Sequence, residues 1–211
     1  RSTLDRSSAA SDVYKRQNLS GKIDFKRFFE PRYDLTILGN NIFYRSLNGD
    51  IEGYGDLDLT VIGKDTLEIV GTIKAKNGAI YKEFTSDQAL ASIEEKGRIT
   101  TNYNVRFPIE DTFSIRNSQI DAKITGEMAM SRQFDSDWNY AGEIEFIEGN
   151  IYYYLGDVFE ELRGSMILDG EGFNPFLELN ASTQIGDAKI MLGVYGPFDN
   201  PEWTFDSDKG Y

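Results

Sequence analysis

Apolar and polar residues alternate one for one along most of this chain, and that pattern restricts what it can fold into more than any other feature. Ile51, Gly53, Gly55, Leu57, Leu59 and Val61 fall between Asp50, Glu52, Asp56, Asp58 and Thr60. Leu67, Ile69, Gly71, Ile73 and Ala75 continue the series against Glu68, Thr72, Lys74 and Lys76. A period of two sends successive side chains to opposite faces of a strand, so the spacing predicts sheets with one greasy and one wet face. The second half follows the same rule through Ile120, Ala122, Ile124, Gly126, Met128 and Met130. It continues through Trp138, Tyr140, Gly142, Ile144 and Phe146, then through Leu162, Gly164, Met166 and Leu168. Two further strands are expected over residues 176–181 and 188–194. Turn chemistry at Asn77-Gly78, Glu148-Gly149-Asn150 and Asp169-Gly170 reads as hairpin ends. A single short helix is expected over residues 85–95, where Leu90 and Ile93 lie three apart.

Residues 1–17 are polar and aperiodic and read as a disordered or non-native leader. Residues 18–211 form one β domain, within which two related units occupy about 50–82 and 121–153. Gly71, Ile73, Gly78 and Ile80 align with Gly142, Ile144, Gly149 and Ile151 at a constant offset, 142 − 71 = 149 − 78 = 71. Glycine inside a strand costs about 0.5–1 kcal/mol relative to alanine. Its recurrence on the apolar face therefore marks places where the sheet bends inward. An open flat face is excluded energetically, since each large apolar side chain left in water forfeits roughly 1.5–3 kcal/mol. Either the sheet closes over an ordinary core, or a hydrophobic guest covers it.

Composition removes most chemistry. The 211 residues include neither histidine nor cysteine, which excludes a Ser-His-Asp triad, a cysteine nucleophile, His or Cys zinc sites and disulfides. With 35 acidic against 22 basic residues the net charge is −13, and no basic stripe offsets it, so nucleic acid is not an expected partner. No apolar run approaches the ~18 residues of a membrane-spanning helix. Asp135, Asp137 and Asn139 open like a calcium loop, but Tyr140 stands where glycine is needed, and a hairpin turn explains them better. Glu94 with Glu95 and Glu160 with Glu161 are adjacent carboxylates that point apart on a strand, so no enzyme activity and no cofactor are expected.

One ordered series of features carries a resemblance. Gly142, Ile144, Phe146, Gly149, Ile151 and Tyr152 are followed by Phe159, Gly164 and Asp169-Gly170. Asn174-Pro175, Leu177, Leu179 and Ala181 come next, then Ile190, Leu192, Val194 and Gly196, then Asn200-Pro201. In this order they resemble the carboxy-terminal region of the TamB (translocation and assembly module) family, relatives of the AsmA-like envelope proteins. The resemblance implies an all-β, elongated, curved antiparallel sheet folded over an apolar groove, a β-taco, partly open and barrel-like. It also implies a fragment of a longer protein anchored in the inner membrane, crossing the periplasm of a diderm bacterium to an outer-membrane barrel of the TamA/BamA type.

On that reading the groove holds phospholipid acyl chains and is lined by Leu57, Leu59, Ile69, Ile73, Ile124, Met128, Met130, Ile144, Phe146, Met166, Leu168, Leu177, Leu179, Ile190 and Leu192. The implied function is lipid transport between the membranes. The alternative is a chaperone-like scaffold for outer-membrane protein or autotransporter assembly and secretion. A transmembrane barrel and a β-repeat adhesin have the same alternation.

Overall fold

The computed structural model describes residues 16–24, 31–83, 100–152 and 158–209. Among these residues eleven strands form a single sheet whose spatial order is the sequence order: β1 (Arg16–Asp24), β2 (Arg32–Arg45), β3 (Ile51–Gly63), β4 (Thr66–Ile80), β5 (Thr100–Arg116), β6 (Ile120–Arg132), β7 (Asn139–Tyr152), β8 (Val158–Glu171), β9 (Phe176–Ile185), β10 (Ala188–Pro197) and β11 (Glu202–Ser207). No helix occurs among the described residues, and the expected helix over 85–95 lies outside them. The protein is all-β, one curved, mostly antiparallel and partly ring-like sheet that fits a β-taco, with β1 and β11 at the two ends of its strand order among the described residues.

All neighbours pair antiparallel except β4 and β5, which are parallel, with Leu67 opposite Thr101 and Gly71 opposite Val105. This departs from the expected wholly antiparallel order. A tight hairpin after Ile80 would have forced antiparallel pairing, whereas the long connection to Thr100 permits parallel pairing. Strand β5 itself fills a region in which the sequence pattern marked no strand. Arg16 and Gln17, the end of the expected leader, pair with Asn40 and Gly39 at the start of β1.

The expected turns at Asn77-Gly78 and Glu148-Gly149-Asn150 are corrected by the structure. Both lie inside strands, Gly78 opposite Gly53 and Gly149 opposite Ala122. What interrupts the alternation is a bulge. An extra residue stands at Lys76 in β4 and at Ile147 in β7, and a bulge disturbs the period of two much as a turn does. Asp169 and Gly170 also remain within β8, and the chain turns only after Glu171. The turn expected around Asp135 to Asp137 is present between β6 and β7, with the Ser136 amide donating to the Gln133 carbonyl at 3.1 Å.

The bulges lie in single file. Register breaks occur between Gly39 and Ile42 in β2, at Lys76 in β4, between Ile109 and Phe113 in β5, at Ile147 in β7 and between Glu160 and Arg163 in β8. Each bends its strand and increases its twist, so together they crease the sheet along one line. Polar side chains on the outer face tie the crease. The Asn41 amide donates to Asp56 at 2.8 Å, Lys76 pairs with Asp56 at 2.6 Å, Lys74 with Glu110 at 2.7 Å and Lys123 with Glu148 at 2.6 Å. Thr125 donates its hydroxyl to the carbonyl of Ile109 at the edge of the β5 bulge, at 3.0 Å.

The concave apolar face

Strand register decides which side chains share the inner face. Leu57 pairs with Ile73, Leu59 with Gly71 and Val61 with Ile69, and β2 adds Ile37 opposite Leu59. Across the parallel joint Ile69 meets Tyr103 and Ala75 meets Ile109. The row runs on through Met128 opposite Phe107 and Met130 opposite Val105, then Ile144 opposite Met166 and Gly142 opposite Leu168. Leu177, Leu179 and Ala181 meet Gly196, Val194 and Leu192, and β11 ends the row with Trp203 and Phe205. No charged residue stands in these inner positions. The ion pairs named above lie on the opposite face, so the sheet separates hydrocarbon from charge by strand parity alone.

The candidate groove residues do not share one environment. Ile124, Ile144, Phe146, Leu168, Leu177, Leu179 and Leu192 are buried together with Phe113, Phe159, Leu162 and Val194 in one packed cluster, Ile144 at 2% exposure. Met128, Met130, Met166 and Ile190 are partly buried against it. Leu57, Leu59, Ile69 and Ile73 lie on β3 and β4, half-buried and outside that cluster. The inner face is thus packed from the far part of β5 to β10, while on β2–β4 Tyr44, Ile51, Ala75 and Ile80 pack against that core, Leu57, Leu59, Ile69 and Ile73 are half-buried outside it, and on β1 Leu19 and Ile23 are exposed.

Several groups outside the expected groove lining complete the closed half. Leu162, wholly buried, follows Glu161, whose backbone takes φ 58° at the β8 bulge. Pro175, also buried, sits in the turn before β9. Aromatic rings line the adjoining rim. Tyr103 and Trp138 stand 5.3 Å apart, Tyr140 and Phe173 5.6 Å, and Phe173 and Phe198 6.5 Å, while Arg132 lies over the Trp138 ring at 5.5 Å. Loop aromatics have no period, so the alternation gave no signal for Phe173 or Phe198.

The inner-face phenols of Tyr44 and Tyr140 are pushed above the ordinary tyrosine range by burial, so both stay neutral and donate where they can. The lowered carboxyls lie on the outer face. Lys123 holds Glu148 down, and Lys189 with Ser182 holds Glu161 down, at 2.9 and 2.8 Å. Among the described residues no group of three or more acidic side chains could hold a metal ion.

The family model of the TamB C-terminal domain matches residues 14–208. The chain belongs to the TamB family. The match covers nearly the whole chain and places this TamB domain among envelope proteins of Gram-negative bacteria. The family is one of transport and assembly modules and not a known enzyme family, and it works with TamA-type partners. No curated protein matches the chain closely enough to count as a relative.

Proposed function

We propose that the concave face of this TamB domain shields lipid acyl chains as phospholipid moves between the inner and outer membranes. The domain works as a segment of a periplasm-spanning, inner-membrane-anchored protein that meets a TamA/BamA-type barrel. The observation that supports this reading is the aliphatic inner row of β2–β4, half-buried and outside the packed cluster at Leu57, Leu59, Ile69 and Ile73, with every ion pair of the crease on the other face. A two-chain phospholipid carries on the order of 30 methylenes, and exposing them at ~0.8 kcal/mol each costs more than ~20 kcal/mol. A trough that covers the tails while the headgroup stays wet removes most of that barrier.

The assembly reading draws on a different observation. Among the described residues β1 and β11 stand at the two ends of the strand order, and the edge of a sheet is where an incoming strand can add. Native mass spectrometry separates the two readings. Gently purified protein, or protein incubated with phosphatidylethanolamine and phosphatidylglycerol vesicles, is expected to carry phospholipid. Protein that stays lipid-free, yet is crosslinked to unfolded barrel strands along β11, supports assembly instead.

A further inference from the structure

The inner face changes character along the stack of strands. At the β1 edge Leu19 is 69% exposed, and on β3 and β4 Leu59 and Ile73 are half-buried. On β5 Val105 falls to 7%, and by β10 Leu192 is at 1%. The change spreads across the parallel joint between β4 and β5: Tyr44, Ile51, Ala75 and Ile80 already pack against the core, while Tyr103, Phe107 and Ile109 on β5 are still half-buried. Beyond β5 most large inner side chains pack against one another, from Ile124 on β6 to Val194 on β10. A close-packed interior has no room for added chain unless its own contacts are broken.

The lining of the open half also selects its occupant. Its inner positions on β2–β4 are Leu, Ile, Val, Ala and Gly apart from Tyr33 and Tyr44, and the backbone groups of β2, β3 and β4 are paired to neighbours on both sides. A polypeptide laid on that face would bury its own amides without partners, whereas a hydrocarbon chain has none to satisfy.

We infer that acyl tails seat only against the β1–β4 half of the trough and that the packed β5–β10 half is a stop they do not pass. This rests on the lipid reading above and adds the limit of the site. Tails therefore enter and leave at the β1 end or over the rims of β1–β4, and the β11 edge is not an exit.

The two native tryptophans test this without altering the core, because Trp138, just before β7, and Trp203, on β11, both stand on the far side of the parallel joint. The protein is loaded from vesicles of phosphatidylethanolamine with brominated acyl chains, separated from them, and its bound lipid measured by mass spectrometry. Native emission is expected to be unchanged on loading, whereas the added emission of Leu59→Trp, and of Ile73→Trp as a second position, is lost. Quenching of the native tryptophans as strong as that of the introduced indoles overturns the stop while leaving lipid binding intact. Bound lipid that spares both introduced indoles overturns the placement. Protein that takes up no lipid removes the lipid reading, and the inference with it.

Discussion

Gly126 and Gly142 lie diagonally across the β6–β7 pair, and each leaves room for the backbone beside the other. A Cβ on Gly126 would stand 2.2 Å from the carbonyl oxygen of Glu143, and one on Gly142 would stand 2.1 Å from that of Glu127. Their φ angles, 127° and 134°, belong to a region that only glycine enters at little cost. Opposite them in register stand Ile144 and Met128, so the space that two side chains would have taken on the inner face goes to large neighbours.

Gly142→Ala is therefore expected to destabilise the domain by about 3 kcal/mol, through an unfavourable φ and a backbone clash together. Gly170→Ala serves as the control. Its Cβ would meet nothing within 4 Å, so its change should stay within about 0.5 kcal/mol. Urea midpoints at constant m-value measure both, and equal shifts would count against the clash.

The two halves of the inner face should respond differently to truncation. Ile144→Ala removes a fully packed side chain and is expected to cost about 2–5 kcal/mol. Leu59→Ala removes a half-buried one and should cost about 1–2 kcal/mol. Matching losses in thermal or urea unfolding would show that β3 is packed as tightly as β7.

Leu59→Asp should leave the fold intact, since the new carboxylate reaches water from the open half, and should remove most bound phospholipid. Mass spectrometry of the purified variant beside the parent reads the outcome. Retention of the parent amount of lipid would exclude this face as the binding surface.

Asp56 provides the pH test of the crease. Burial pushes its carboxyl up, but the hydrogen bond from Lys76, the Asn41 amide and the charges of Lys76 and Lys74 outweigh that and hold it below the ordinary aspartate range. A folded-state value below the unfolded one means that the ionised form adds stability at neutral pH. That contribution is full above the unfolded value of about 3.9 and disappears as the pH falls through the folded value. Asp56→Asn should cost about 1 kcal/mol or less at pH 7, and the two proteins should converge in strong acid. A stability gap that persists there would assign the loss to geometry and not to charge.

Much of the fold is legible in the alternation, because side-chain parity on a strand depends only on sequence position. Leu57, Ile73, Met128, Ile144 and Leu192 all stand on the inner face that their spacing implied. The pattern was misread where it breaks, at Lys76 and Ile147, because a bulge and a turn both insert a residue out of step, and only cross-strand pairing tells them apart. The parallel β4–β5 joint was hidden for a similar reason, since a strand has the same alternation whichever way its neighbour runs.

By itself the sequence determined the all-β class, the separation of apolar from charged faces, the absence of histidine and cysteine chemistry, and the TamB resemblance. Only the tertiary structure decided which part of the apolar face is covered by the protein itself. Parity tells which way Leu59 and Ile144 point, but whether a side chain meets space or another wall depends on how far the creased sheet curls. That curl is set by bulges, by strand order and by contacts between strands distant in sequence. The half-buried inner row of β2–β4 and the packed interior from the far part of β5 to β10 are consequences of that curl.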